Sequence, residues 1–324
     1  MHHQVQNEKA IESLPIARYE LRFLAEEPYS FRGFTGSAWR GIFGHALKRT
    51  VCITRHEHCP ECMLYRSCVY PYIFDTPLPV GSEKLRTVQT IPHPFLLEVP
   101  WAIPENSEIA IRLTLIGHAN RYVVYAIHAL EQGACNGIRH SPPLILRQIL
   151  QEERLGTNVW LPIKNRAGVL TPLPTHPIDL PQMPAKVRIV FETPLRLRCQ
   201  DHYVTPDRFS FVEFFRNLLG RLSLLKYFHS DEPLTVDFAG LISAASLINF
   251  TQMALRWRDW QRYSSRQKQK LQMGGLMGSA DLDLTAAVAP FWPYLWIGQF
   301  IHAGKGTSMG LGKFRLESLN DAAA

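Results

Sequence analysis

Five prolines, at positions 172, 174, 177, 181 and 184 in the run TPLPTHPIDLPQMP, constrain this chain more than any other feature. Each removes a backbone donor and fixes its own φ, so neither a helix nor a central strand can pass from Thr171 to Pro184. The run is predicted to be an extended linker between two domains, residues 1–180 and 181–324. Either side is long enough to bury a core of its own. With 46% hydrophobic and 19% charged residues, the chain is neither a disordered nor a collagen-like polymer.

Hydrophobic periodicity gives each half a similar order of elements. Before the linker, Ile16 to Leu24 reads as a strand, Gly36 to Val51 as a helix and Glu108 to Ile116 as an alternating strand; Tyr122 to Gln132 is a helix and Leu144 to Leu150 a strand. After it, Lys186 to Phe191 is a strand, and Pro206 to Phe228 a helix with a Thr-Pro-Asp start. A second apolar helix ends near His302, and Lys313 to Glu317 is the last strand. Between 237 and 280, DFAGLISAASLINF suits a helix, while the basic stretch after it and MGGLMG suit a hairpin. The class is α+β. Two tandem ferredoxin-like (βαββαβ, RRM-like) domains are the economical reading, each with both helices on one face of a four-stranded sheet.

Leu284 to Gly304 lacks Asp, Glu, Lys and Arg and is long enough to span a bilayer. Pro290, Pro293, Gln299 and His302 argue instead for a buried helix entered through prolines. Thirty-five Lys+Arg against 28 Asp+Glu, a formal charge of +7, favour an anionic partner. Six cysteines are too few for a secreted disulfide scaffold, and the start MHHQVQNEKAIES has no apolar core of a signal peptide, so a reducing, cytoplasmic setting is expected.

Four segments carry chemistry. Gly304, Gly306, Gly310 and Gly312, with Lys305 and Lys313, crowd the connection between the last helix and the last strand. Glycines there admit positive φ and leave N–H groups open to a phosphate, and the lysines supply charge, although the GxxxxGK[ST] order of a nucleotide loop is absent. On the helix from Gly36, Trp39, Ile42, Phe43, Ala46 and Leu47 form one buried stripe, and Gly41, His45, Lys48 and Arg49 lie opposite. A histidine among cations suits proton transfer beside a phosphate, and equally suits a solvent-facing surface. Cys52, Cys59, Cys62 and Cys68, spaced C-x6-C-x2-C-x5-C, provide four soft ligands. A structural zinc is the first choice, His56 or His58 being able to replace a cysteine, and an iron–sulfur cluster is the alternative. Cys135 and Cys199 read as core residues. Last, Arg256 to Lys270 mixes six cations, Arg262 and Arg266 among them, with Trp257, Trp260 and Tyr263. The mixture suits pairing with phosphates and stacking on bases, and also a solvated edge. No HExxH, Walker motif, Ser-His-Asp order or catalytic carboxylate pair is evident.

The ending GQFIHAGKGTSMGLGKFRLE resembles the glycine-rich C-terminal signature of the RAMP superfamily, in particular of the CRISPR-associated endoribonucleases that cut precursor CRISPR RNA within its repeats. RGFTGSAWRGIFGHALKRTVC with HCPECMLYRSCVYPYIFDTP is similar to the N-terminal region of a cysteine-bearing branch of that family, and DWQRYSSRQKQKLQMGGLMG to its central block. The resemblance implies two tandem ferredoxin-like domains and a metal-independent endoribonuclease that cleaves CRISPR repeat RNA by 2′-OH attack to release crRNA. It implies catalytic residues on the first helix or just after it: His45 for proton transfer, Lys48 with Arg40 or Arg49 for charge, and His56, His58 and His302 as competitors. The glycine loop and the basic stretch would hold the RNA. The alternative is a non-catalytic RAMP subunit that binds RNA within a CRISPR effector complex, and other subunits of such a complex are partners the resemblance allows.

Overall fold

The computed structural model describes residues 11–27, 29–30, 33–79, 91–101, 108–138, 141–165, 167–264 and 269–319. Two compact units emerge. Of the described residues, one unit joins those of Leu14–Ile178 with Leu224–Glu232; the other holds Asp179–Ser223 and residues 233–264 and 269–319, with residues 11–13.

The first unit runs β1 (Ile16–Ala25), α1 (Gly36–Val51), a short α2 (Val69–Phe74), β2 (Phe95–Glu98), β3 (Ile109–Ile116), α3 (Val123–Cys135), β4 (Leu144–Glu152) and β5 (Trp160–Pro162). Its sheet is ordered β2-β3-β1-β4-β5 with antiparallel neighbours, which is the ferredoxin-like order extended by one edge strand. Alternation decides the faces. Ala17, Tyr19, Leu21 and Phe23 of β1 enter one core with Trp39, Phe43 and Leu47 of α1 and Ala126, Ile127 and Leu130 of α3. The residues between them face the other way: Arg18 donates to Glu152 at 2.8 Å, and Glu20 accepts from Arg22 and Arg112 at 2.8 and 2.9 Å. Arg18 and Arg112 also lie over the Trp160 ring, 5.4 and 5.0 Å from its centre.

The second unit runs β6 (Lys186–Leu195), a hairpin of β7 (Arg198–Cys199) and β8 (His202–Tyr203), α4 (Phe211–His229), α5 (Phe238–Ala245), β9 (Gln252–Arg258), β10 (Gln261–Ser264), β11 (Gln269–Gln272), β12 (Gly275–Asp283), α6 (Trp292–Ile301) and β13 (Phe314–Ser318). The order β13-β6-β12-β9 repeats the arrangement of the first unit, with its first strand again central and its second at an edge. β9 pairs with β12, and β10 pairs with β11 beyond them. Phe191 of β6 meets Phe214 of α4 edge-on at 5.5 Å, and Phe214 meets Phe314 of β13 at 5.2 Å. On the other face Arg188 grips Asp281 with two bonds of 2.7 and 2.8 Å.

Residues 171–184 form neither helix nor strand, as their prolines require. The apolar run before the glycine loop enters α6 through a 3₁₀ turn at Ala289–Phe291, and no described helix is long and apolar enough to cross a membrane. Two expectations need correction. Thr205-Pro206-Asp207 begins only a 3₁₀ turn; the helix proper follows Ser210, whose Oγ accepts from the Glu213 N–H at 3.4 Å, a Ser-x-x-Glu start that outcompetes the earlier one. Cys135 is exposed and Cys199 half-buried, so neither is a core residue: Cys135 ends α3, and Cys199 sits on a two-residue strand.

Candidate functional site

Three clusters carry the polar chemistry, and the glycine connection is the most constrained of them. Residues 304, 306, 310 and 312 all adopt positive φ, between 68° and 93°, which is why glycine stands at each. The connection is folded tightly on itself. Ala303 N–H donates to Gly312 O at 3.1 Å, Lys305 N–H to Arg196 O at 3.0 Å, Gly312 N–H to Pro194 O at 3.1 Å, and Gly304 N–H to Asn217 Oδ1 at 2.7 Å. Thr193 Oγ1 donates to Gly310 O and accepts from Lys313 N–H, both at 2.8 Å. Most of the N–H groups expected to face a phosphate therefore lock the loop in place. Residues 307–312 are buried, and 304–306 form its outer tip, with Lys305 exposed. Lys313 is paired with Glu192 at 2.9 Å. His302 is fully buried, its Nδ1–H donating to Leu311 O at 3.2 Å, so it belongs to the loop's internal scaffold.

Asn217 and Arg221, one turn apart on α4, support this loop. Arg221 Nε–H donates to Ile301 O at 2.8 Å, and burial pushes its guanidinium down to about 9, still charged at neutral pH. Their signal in the sequence is an asparagine and an arginine at i, i+4 within the leucine-rich run FFRNLLGRLSLL, which also carries Arg216 and Ser223.

The loop's contact with Arg196 leads to a second group that sequence reasoning missed. Arg196 lies over the Tyr203 ring at 4.7 Å and donates to its hydroxyl at 2.6 Å; Arg198 lies over the same ring at 5.9 Å, and Trp257 of β9 approaches it at 6.3 Å between centres. Arg196 is itself buried and braces the ring from beneath, whereas Tyr203, Arg198 and Lys305 are exposed and make a surface suited to phosphates and unpaired bases. Arg256 and Arg258 are exposed on the sheet-edge strand β9. Arg262 is described only by its place on β10, and Arg266 lies outside the described residues.

The first unit presents α1. His45 is exposed there, opposite buried Trp39, Phe43, Ala46 and Leu47, with Ile42 half-buried at the edge of that stripe. Its cationic neighbours are partly engaged: Lys48 Nζ donates to Glu57 O at 3.2 Å and lies over Tyr70, while Arg40 bonds His93 Nε2 at 2.9 Å and lies over Phe74. Arg49 is exposed. His56 and His58 are exposed on the loop that follows, where His58 N–H donates to His56 Nδ1 at 3.2 Å. That loop gathers the Sγ-bearing side chains of Cys52, Cys59, Cys62 and Cys68 along one small cavity, together with Lys48, Thr54, His56 and Tyr70. A contact from the Thr54 hydroxyl, 3.2 Å from Sγ, holds the Cys62 thiol below its usual range; burial pushes Cys68 up. Among the described residues no three His, Cys, Asp or Glu side chains are drawn together closely enough to hold an ion.

Comparison with known proteins completes this picture. Residues 14–172 match a domain family described as an N-terminal domain, AF_1859_N, and residues 189–314 match the family of the CRISPR-associated endoribonuclease Cas6. No curated protein matches the chain. The product complex of Cas6 (TTHB231), a Thermus thermophilus protein, aligns over 94% of this chain and 99% of that one, with a TM-score of 0.57 and 18% identity. The product complex of Cas6 (TTHA0078) gives 0.53 and 18% over 94% and 100%. A chain of a partial Cas6-RT-Cas1–Cas2 complex gives 0.59 and 13% over 96% of this chain and 47% of that one, so this chain spans about half its length. These likenesses establish the fold as the tandem ferredoxin-like one that strand order indicates, and the family match falls on the unit that carries the glycine loop. The match to the family of the CRISPR-associated endoribonuclease Cas6 thus covers residues 189–314, from the first strand of the second unit to the start of its last.

Proposed function

We propose that this chain binds CRISPR repeat RNA and cleaves it, without a catalytic metal, by attack of the substrate's own 2′-OH on the adjacent phosphate, releasing crRNA. The observation that carries the reading is the match of residues 189–314 to the Cas6 endoribonuclease family. In this reaction a bond forms from 2′-O to phosphorus as the bond to the 5′-oxygen breaks. One proton leaves the 2′-OH, one reaches the departing 5′-oxygen, and the products end in a 2′,3′-cyclic phosphate and a 5′-OH. The protein's part is to align the strand, move those protons and stabilise charge on the phosphoryl oxygens.

His45 is the group proposed for proton transfer, because its ring is exposed on a helix whose opposite face is anchored in the core. Lys48 and Arg40 would supply charge by exchanging their bonds to Glu57 O and His93 for bonds to the phosphate. Lys305, the Arg196–Tyr203–Arg198 group and the arginines of β9 would hold the repeat. The similar structures, two product complexes and a Cas6-RT-Cas1–Cas2 assembly, support RNA and other CRISPR proteins as partners.

The test uses repeat RNA from the protein's own locus, with no added divalent metal. A single 2′-deoxy nucleotide just upstream of the cut is expected to abolish cleavage and leave binding intact. His45→Ala is expected to slow cleavage about 10²–10⁴-fold at unchanged affinity, the usual worth of general acid–base catalysis. Continued cutting of the 2′-deoxy substrate overturns the mechanism. Full activity of His45→Ala moves the proton transfer to His56 or His58, and binding without any cleavage identifies a non-catalytic RAMP subunit.

A further inference from the structure

The connection from Cys52 to Cys68 poses a physical problem. From Lys48 to Tyr70 not one residue is buried, and Ile53 and Met63 are 85% and 90% exposed. Apolar packing therefore contributes almost nothing to the shape of this segment. Its ends are nevertheless fixed: Cys52 caps α1 through a bond of 2.9 Å to Lys48 O, and Cys68 caps the start of α2 while its N–H donates to Leu64 O at 2.8 Å. Between them Cys62 N–H closes a tight turn onto Cys59 O at 3.0 Å. All four cysteines are free thiols, and all four line one cavity of about 30 Å³. That volume suits a single ion and is too small for an organic ligand.

We infer that Cys52, Cys59, Cys62 and Cys68 form a structural site for one Zn²⁺, which clamps the 52–68 connection onto the C-terminal end of α1. The donor set is the one zinc prefers in sites that complete its four-coordination with protein ligands and leave none for water, so the ion takes no part in cleavage. Lys48, which lines the same cavity, offsets half of the net negative charge that four thiolates leave on a Zn²⁺ centre. The thiols are not at ligand spacing in the described arrangement, so binding draws them inward. A segment with no buried residue offers little resistance to that closure, and the binding energy becomes folding energy of the segment.

The full-length protein, purified in reductant without chelator, is reconstituted with Zn²⁺ and freed of excess metal. Elemental analysis should find about one zinc per chain, with the four clustered thiols shielded from a thiol reagent until a strong chelator is added. Cys135 and Cys199, outside the cluster, should react at once. Cys59→Ser with Cys62→Ser should lose the zinc, whereas Cys135→Ser with Cys199→Ser should retain it. Should the first pair fail to fold, Co²⁺ in the wild-type protein decides by the thiolate charge-transfer and tetrahedral ligand-field bands expected of four sulfur ligands. A zinc content below about one tenth per chain, immediate reaction of the clustered thiols, or iron accompanied by acid-labile sulfide each overturns the assignment.

Discussion

A methyl group added at Gly312 would stand 1.7 Å from the Ala303 carbonyl oxygen, at a φ of +68°. Both the contact and the conformation oppose any side chain there, whereas Lys305, at the tip of the same loop, is exposed. The two residues should therefore fail differently. Gly312→Ala is expected to lower the melting temperature, since the left-handed conformation alone costs a non-glycine residue about 1–2 kcal/mol. Lys305→Ala should leave melting unchanged, weaken repeat binding and reduce the slope of log affinity against log salt by about 0.7, one phosphate contact to a single strand. Equal melting of both variants would show that the loop is a loose connection. Asp281 makes a separate case, because the bonds from Arg188 hold its carboxyl below the usual range. A depressed carboxylate contributes stability above its ordinary pKa and loses it as pH falls through the lowered value. Asp281→Asn should then melt below wild type at neutral pH, and the gap should close only in acid below the normal aspartate range. A gap that persists unchanged through and below that range would assign the effect to packing.

At the scale of elements, the β7–β8 hairpin shows what a sequence conceals. Its cations and ring, Arg196, Arg198 and Tyr203, occur in the short run RLRCQDHY, where no period is long enough to announce a strand. Only the pairing of Cys199 with His202 brings both arginines to one ring. Tyr203→Ala should consequently lower repeat affinity about 5- to 150-fold, corresponding to about 1–3 kcal/mol for one base stacked on an aromatic ring, while Tyr203→Phe retains most of it. Equal losses for the two would point to the hydroxyl that Arg196 bonds. Longer elements were legible: α1 runs from Gly36 to Val51 as its apolar stripe predicts, and β1, β3, β4 and α6 follow their periods. The short β2, Phe95–Glu98, is four consecutive buried residues with no alternation, and β5 holds a proline at the sheet edge, so neither carried a period. Helix α1 was legible because one face is apolar and the other carries His45, Lys48 and Arg49. The glycine connection was legible in composition alone, since nothing in HAGKGTSMGLGK says that Thr193 and Asn217 consume the groups a phosphate would use.

For the whole molecule, the prolines mark where the chain passes from one unit to the other, but they do not mark all of either unit. Leu224–Glu232, from the end of α4, groups with the residues before the linker. Within that unit His229 is fully buried: its Nε2–H donates to Pro92 O at 2.8 Å, and its Nδ1 is hydrogen-bonded to Tyr72 Oη at 3.2 Å. Gly117, at a φ of +61°, fits so closely that an added methyl would come 1.7 Å from His229 O. A protein cut at the linker would lose these partners and leave Tyr72 and the Pro92 carbonyl facing a gap. Each unpaired buried polar group costs about 1–3 kcal/mol, against a total of about 5–15 kcal/mol for a domain. A fragment ending at residue 178 is therefore expected to melt early and without a cooperative transition, although it contains every strand of its sheet. In the full-length chain, Gly117→Ala should reproduce part of that loss by pressing on the same contact. A fragment that melts cooperatively at the temperature of the intact protein would show that the end of α4 contributes nothing to the first unit.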